Sequence, residues 1–154
     1  MDVDDLRQFV KEIVKKAADL KNKHTSDKKA PVNYACIFCQ NDEQYKSLVV
    51  TAKKIGSLIE ETPTGPLFHV QPIDTNEGKL KLLKIRKPDS ERPELGDADF
   101  TVSDYSEFKK RYLSQKGFKL ITRKNFEMIE LLDARFNVRA YFSNPPLDRQ
   151  LKIL

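Results

Sequence analysis

The sequence has few of the residues on which several common classes of enzyme depend. It contains five glycines, two histidines and two cysteines in 154 residues. No GxSxG, Walker loop, HExxH or dinucleotide-binding fingerprint occurs in it, and those motifs need glycine-rich turns or closely spaced histidines. Hydrolase, nucleotide-binding and oxidoreductase functions of these classes are therefore not indicated.

Long apolar runs are also missing. No stretch approaches the roughly 18 apolar residues that a membrane-spanning helix needs. The opening residues, MDVDDLRQF, are acidic and lack the apolar core of a signal peptide. Hydrophobic residues make up 39% of the chain and charged residues 33%, which is ordinary for a soluble globular protein. We therefore expect a cytoplasmic protein with no membrane partner.

Basic residues are densest in the first helix and in the segment around Lys79 to Val102, but they are not gathered into one block. The net charge is +5, but the 28 basic residues are spread among 23 acidic ones. Nucleic-acid-binding proteins usually gather their basic residues on one face or stripe. The pattern favours an ordinary solvated surface with a positive bias, and a nucleic-acid partner is not expected.

The two cysteines, Cys36 and Cys39, form a CxxC within NYACIFC. A redox CxxC needs a helix N-terminus, and a zinc site needs a second pair of ligands. Neither is evident, because this segment has the pattern of a strand, on which residues three apart point to opposite faces. We predict two buried structural thiols.

The first predicted element is an amphipathic helix from Val3 to about Asn22. Its apolar residues recur at a spacing of three and four and form one stripe. The body of the protein is expected to cover that stripe. The alternative is a partner chain, so a homo-oligomer formed through this helix is a second hypothesis.

The remaining elements fall into two similar series. The first contains a strand (Val32–Cys39), a helix capped by Asn41 and ending near Glu60 to Glu61, and strands at Leu67–Val70 and Lys79–Arg86 joined by the turn PIDTNEG. The second contains a strand (Asp97–Val102), a helix capped by Ser103 and stopped at Gly117, and strands at Phe118–Thr122, Phe126–Leu131 and Val138–Phe142.

This order predicts an α+β fold: two βαβββ-like modules form a curved sheet around a cup, preceded by an N-terminal helix. We expect one domain over residues 1–154. It comprises the N-terminal helix and connector (1–31), a first module (32–88), a second module (89–142) and a tail (143–154). The segment from Lys79 to Val102 is the hinge between the modules.

The doubled unit resembles the vicinal oxygen chelate superfamily, which includes glyoxalases, bleomycin-resistance proteins and dihydroxybiphenyl and other extradiol dioxygenases. NYACIFC and GDADFTV are similar to the opening strands of its two modules. LLKIRKPD resembles the closing strand of the first module, and IELLDARFNVRAYF resembles the end of the second. The leading helix and the long hinge look most like YecM-type members. The resemblance covers about residues 32 to 142.

In metal-dependent members of that family, four side chains, typically His, Glu, His and Glu, bind a divalent ion in the cup. The resemblance places Tyr34, Lys84 and Asp97 at the first three positions and the segment from Arg139 to Tyr141 at the fourth. A lysine where the cation should sit disfavours a metal. We expect no metal and no other cofactor; the alternative is a shifted carboxylate set of Asp97 and Asp99 with Glu127 or Glu130.

The polar set that replaces the metal ligands is the predicted ligand-binding site. It comprises Tyr34, Cys36, Lys84, Asp97, Asp99, Arg139 and Tyr141. A lysine beside an acid could hold a small, anionic molecule by charge-assisted hydrogen bonds, or it could form a buried ion pair without a ligand. The alternatives are a metal-dependent lyase, isomerase or dioxygenase, and a non-catalytic interaction protein that uses its first helix or basic surface.

Overall fold

The computed structural model describes residues 1–152; residues 153–154, the end of the predicted tail, lie outside the described part. Its helices are α1 (Val3–His24), α2 (Asp42–Lys53), α3 (Tyr105–Tyr112) and α4 (Leu147–Gln150). Its strands are β1 (Val32–Phe38), β2 (Gly56–Thr62), β3 (Gly65–Thr75), β4 (Gly78–Arg86), β5 (Gly96–Phe100), β6 (Phe118–Thr122), β7 (Glu127–Leu131) and β8 (Arg139–Asn144). They form one sheet in the order β2-β3-β4-β1-β5-β8-β7-β6.

Helix α1 packs its apolar stripe against the sheet. Asp2 caps its N-terminus by accepting a hydrogen bond from the backbone N–H of Asp5, and acidic residues in the first turn suit the helix dipole. Leu6, Val10 and Ile13 are fully buried. The protein's own body therefore covers the stripe, as predicted. A homo-oligomer stays a prediction, and it would have to use the lysine-bearing face of the helix. No helix among residues 1–152 is long and apolar enough to cross a membrane.

The predicted end of α2 is wrong. The helix ends at Lys53, and the segment Gly56–Thr62 is an edge strand paired with β3. The spacing of Ile55, Leu58 and Ile59 fits a helix, but Leu58 is 51% exposed and is not a core residue. The backbone of Gly56 lies so close to β3 that an added Cβ would be 2.5 Å from the carbonyl oxygen of His69. Pairing with the open edge of β3 therefore outweighs the helical pattern in this segment.

Other boundaries also move. The short strand predicted at Leu67–Val70 extends to Thr75, and the predicted turn shrinks because Asp74 and Thr75 pair with β4. Asp104, rather than Ser103, caps α3, since its side chain accepts the backbone N–H of Glu107 at 3.1 Å. Strand β8 reaches Asn144, past the predicted start of the tail.

The modules meet where β1 and β5 pair in antiparallel fashion at the centre of the sheet. Strand β4 lies parallel to β1, and β8 lies parallel to β5, so each half of the sheet repeats the other half about this pair. Gly96 permits the close approach, because a Cβ there would overlap the carbonyl oxygen of Cys36. The predicted α+β class and doubled arrangement are confirmed. Helices α1, α2 and α3 pack on one face of the curved sheet, and the other face forms the cup.

Candidate functional site

The cross-strand register brings all seven predicted site residues to the same face of the sheet. Paired residues on neighbouring strands share a face, and side chains alternate along each strand. One row across the sheet contains Lys84, Cys36, Asp97 and Arg139, on β4, β1, β5 and β8 respectively. The next row contains Tyr34, Asp99 and Tyr141. The seven residues that the resemblance singled out therefore lie on one face of the sheet, the face that forms the cup.

Asp97 is the buried carboxyl at the centre of the first row. Asp97 is 7% exposed, and its Oδ1 has no hydrogen-bond partner among residues 1–152. Burial raises its pKa to about 7, and the neighbouring charge of Asp99 adds to that increase. The positive charges of Arg92, Lys84 and Arg86 act in the opposite direction without cancelling it. A carboxyl that titrates near neutrality inside a cup is a frequent mark of a functional site.

Asp99 differs from Asp97 because its carboxylate is hydrogen-bonded. Oδ1 accepts the backbone N–H of Ser143 at 3.2 Å, and Oδ2 accepts the Ser143 hydroxyl. These bonds lower the pKa of Asp99, but burial outweighs them and the pKa is raised to about 6. The protein itself thus supplies hydrogen-bond donors to both oxygens of Asp99, whereas the Oδ1 of Asp97 receives none from the described residues.

The cationic side of the cup is formed by two residues of β4. The Lys84 ammonium donates a short hydrogen bond to the Thr64 hydroxyl, and no carboxylate lies within 4.0 Å of it in the described chain. Burial lowers the pKa of Lys84. Arg86 pairs with Asp89 at 3.3 Å through Nη2, while its buried Nε lacks a hydrogen-bond partner among residues 1–152. Lys84 therefore has no anionic partner of its own, and Arg86, although paired with Asp89, has one N–H whose hydrogen bond is not made.

Arg139 and Tyr141 are engaged in contacts within the protein. Arg139 lies 3.0 Å from Glu94 and 3.4 Å from Glu130, and its Nη2 donates to the backbone carbonyl of Glu91 at 2.9 Å. The Tyr141 hydroxyl donates to Glu130 at 2.5 Å. Burial is the main reason that the pKa of Tyr141 is raised. These two predicted ligand-binding residues mainly hold the wall of the cup together.

Tyr34 and Cys36 form the apolar part of the cup floor. Burial raises the pKa of both groups well above their ordinary values, so both are protonated at neutral pH. Cys36 and Cys39 are buried free thiols, and Cys39 packs in the core on the opposite face from Cys36. The CxxC therefore matches the predicted pair of structural thiols, with only Cys36 facing the cup.

The residues at the metal positions implied by the resemblance do not fit a divalent cation. Lys84 and Arg139 bring positive charge into the row that holds Asp97. No group of three or more His, Cys, Asp or Glu side chains capable of holding a metal occurs within residues 1–152. In the alternative carboxylate set, Glu127 lies on the helix-covered face, where its Oε2 accepts from Lys109 and Tyr105 of α3 at 2.8 Å each. Glu130 does face the cup, but its Oε2 accepts from Tyr141 and lies 3.4 Å from Arg139.

Several cup residues were missed from sequence. Arg86 and Ser143 follow Lys84 and Tyr141 by two positions, so strand alternation alone could have placed them on the same face. Arg92 and Glu94 come from the hinge, where no periodic pattern applies. Arg92 lies over the Phe38 ring at 5.3 Å and donates to the Tyr141 hydroxyl at 3.3 Å.

The cup is narrow. Cys36, Phe38, Asp97 and Tyr141 are all 7% exposed or less. A surface opening of about 400 Å³ lies between α1 and the β3–β4 turn, and it is lined by none of the seven predicted residues. A smaller opening of about 100 Å³ lies beside α3. Neither opening lies in the cup, whose floor is almost fully covered by its own side chains.

Comparisons with known proteins bear on the fold. No family model matches the chain, and no curated protein matches it. The chain is similar to a solved structure described as structural genomics protein EC4020, with a TM-score of 0.73 and 11% identity over 97% of this chain and 91% of that one. A glyoxalase/bleomycin resistance protein/dioxygenase superfamily member from Vibrio splendidus 12B01 aligns with a TM-score of 0.45 and 11% identity, over 74% of this chain and 97% of that one. At this identity, the likeness to EC4020 shows the fold alone.

Proposed function

We propose that this protein is a vicinal oxygen chelate-type protein that has no metal in its cup and instead binds a small anionic molecule there. The observation that carries the proposal is the pair of donors on β4. Lys84 has no carboxylate partner, and the buried Nε of Arg86 has no hydrogen-bond partner, within the described residues. The YecM-type assignment and a cytoplasmic location remain predictions from the sequence.

Electrostatics favour an anion beside these donors. A buried N–H without a partner costs about 1–3 kcal/mol, and a half-buried ammonium that faces only a hydroxyl is also incompletely compensated. A carboxylate or phosphate oxygen would accept from both groups, and charge-assisted hydrogen bonds of this kind are roughly twice as strong as neutral ones. The other cations of the cup also lie beside carboxylates: Arg139 is 3.0 Å from Glu94 and 3.4 Å from Glu130, and Arg92 is 3.9 Å from Asp89. The buried Nε of Arg139, like that of Arg86, has no hydrogen-bond partner among residues 1–152.

The proposal predicts that small oxyanions raise the thermal unfolding midpoint of the protein. A ligand at tenfold its dissociation constant adds about 1.4 kcal/mol to the free energy of unfolding. Acetate, glycolate and phosphate would be tested at constant ionic strength, with sodium chloride as the reference. We expect Lys84→Met to weaken the binding of those anions that raise the midpoint of the wild type by about 10- to 100-fold, since a hydrogen bond to a charged group contributes about 1.5–3 kcal/mol.

Lys81 on the same strand offers a matched control. It is an exposed lysine and lies on the other side of the strand from Lys84. Lys81→Met removes the same charge without touching the cup, and its response to anions should equal that of the wild type. The proposal is wrong if no oxyanion raises the midpoint above the chloride reference, or if Lys84→Met responds like Lys81→Met.

A further inference from the structure

An unpaired acceptor lies across the cup from Lys84, which has no carboxylate partner, and from the unpaired Nε of Arg86. Asp97 is 7% exposed, and its buried Oδ1 accepts no hydrogen bond within residues 1–152. From this arrangement, and resting on the proposed function, we infer that the bound anion carries a hydrogen-bond donor next to its charged group, as a 2-hydroxy acid does. Its charged end would lie against Lys84 and Arg86, and its hydroxyl would donate to Asp97.

The gap between these groups has the width of one strand. Lys84 and Asp97 both pair with Cys36, from opposite sides. Neighbouring strands lie about 4.8 Å apart, so the Cα atoms of Lys84 and Asp97 are separated by about 10 Å. Cys36 fills little of the space between them, because its side chain is small and its Sγ lies 3.8 Å from the backbone carbonyl of Ile37. A small ligand lying over Cys36 would bridge the two side chains.

The protein does not supply the missing donor itself. Several titratable and charged side chains face Asp97 from the surrounding elements: Tyr34 and Cys36 on β1, Lys84 and Arg86 on β4, Asp99 on β5, Arg139 and Tyr141 on β8, and Arg92 from the hinge. None of them donates a hydrogen bond to the Asp97 carboxyl or lies within 4.0 Å of it as an ion pair in the described chain. Arg139, its neighbour in the row, is held by Glu94 and Glu130. A donor on the ligand would complete the site.

Matched pairs of acids test the inference. Isothermal titration of the full-length protein would compare glycolate with acetate and lactate with propionate, because each pair differs chiefly in the hydroxyl. We expect the wild type to bind the hydroxylated acid of each pair at least about tenfold more tightly than the acid without the hydroxyl. The acid without the hydroxyl leaves the buried Oδ1 of Asp97 unpaired. Asp97→Ala should bind both members of a pair equally. Asp97→Asn, which keeps an acceptor oxygen, should retain part of the preference. Lys84→Met should weaken both members by a similar factor.

The outcomes separate this inference from the proposed function. Equal binding of both members by the wild type would overturn the inference and leave anion binding intact. Binding of neither member would overturn the proposed function as well. A hydroxyl preference that persists unchanged in Asp97→Ala would also overturn the inference, because the acceptor would then lie elsewhere. The comparison of the acids within each pair is made on the wild-type protein, so it still tests the inference if a variant fails to fold.

Discussion

Replacing Asp97 with asparagine is expected to raise the free energy of unfolding by about 2–4 kcal/mol near pH 8 and to change it little near pH 4. Burial raises the pKa of this carboxyl to about 7, compared with about 3.9 in an unfolded chain. Between these two values the folded protein keeps a proton that the unfolded chain has released. The native state therefore binds more protons, and the stability of the wild type falls as the pH rises through this window. Asparagine has no charge to bury and escapes the penalty.

Urea denaturation at several values between about pH 4 and pH 8 would measure this effect. In Asp97→Asn the free energy of unfolding should still fall somewhat as the pH rises. The pKa of Asp99 is raised to about 6, so this second carboxyl also makes the folded protein less stable at higher pH. Asp19→Asn is a suitable control, since the Asp19 side chain is 53% exposed on α1, and its curve should run parallel to that of the wild type. Equal loss of stability in the wild type and Asp97→Asn over this window would contradict the role assigned to the buried carboxyl.

Arg139→Met is expected to lower the free energy of unfolding by about 3 kcal/mol, the opposite direction from Asp97→Asn. The Arg139 side chain is 12% exposed, and it pairs with Glu130, which is 8% exposed, and with Glu94, which is 19% exposed. Methionine keeps an apolar stem but leaves both carboxylates without their cation. Removing one partner of a buried pair is costly because an uncompensated charge remains behind.

Chemical denaturation at neutral pH would measure this loss, with Arg123→Met as the control. The Arg123 side chain is exposed and, among the described residues, donates only to the adjacent backbone carbonyl of Thr122, so its replacement should change stability by no more than about 0.5 kcal/mol. Adding Glu130→Gln to Arg139→Met should recover part of the loss, because it removes one of the stranded charges. A loss below about 1 kcal/mol in Arg139→Met would mean that solvent screens the pair and that Arg139 is free to bind a ligand.

The two variants separate two kinds of polar residue that lie side by side in one row of the sheet. Arg139 is compensated by its neighbours and stabilises the wall of the cup. Asp97 is not compensated and destabilises the fold at neutral pH. A residue that lowers stability and has no partner of its own is the one for which a ligand offers the clearest explanation.

Strand alternation explains how much of this could be predicted from sequence. The patterns of β1 and β5 indicated which of their side chains face the same way, the resemblance added Lys84, and the register places Tyr34, Lys84 and Asp97 on one face. Strand β2 was missed because the local spacing of Ile55, Leu58 and Ile59 favours a helix. Its actual state depends on hydrogen bonds to β3, which a local pattern does not contain.

The hydrogen-bond and ion-pair partners of the cup residues could not be predicted from local sequence patterns either, because they depend on contacts between distant parts of the chain. Whether Arg139 pairs with Glu130 depends on the register of β7 against β8, and its contact with Glu94 depends on the path of the hinge. Gln40 holds that path by donating to the backbone carbonyls of Arg92 and Glu94 at 3.3 and 3.0 Å. Contacts of this type arise from the assembled fold, so the sequence indicated part of the set of cup residues but not which of them remain unpaired.

We expect the cup, and not another surface, to receive the small anion. An NMR titration of uniformly ¹⁵N-labelled protein with glycolate at constant ionic strength would show where the anion binds. Saturable shifts are expected for the backbone amides of Lys84, Arg86, Cys36 and Asp97, with little change at the surface opening between α1 and the β3–β4 turn. Saturable shifts at that opening without shifts in the cup, or no saturable shift anywhere, would contradict this expectation.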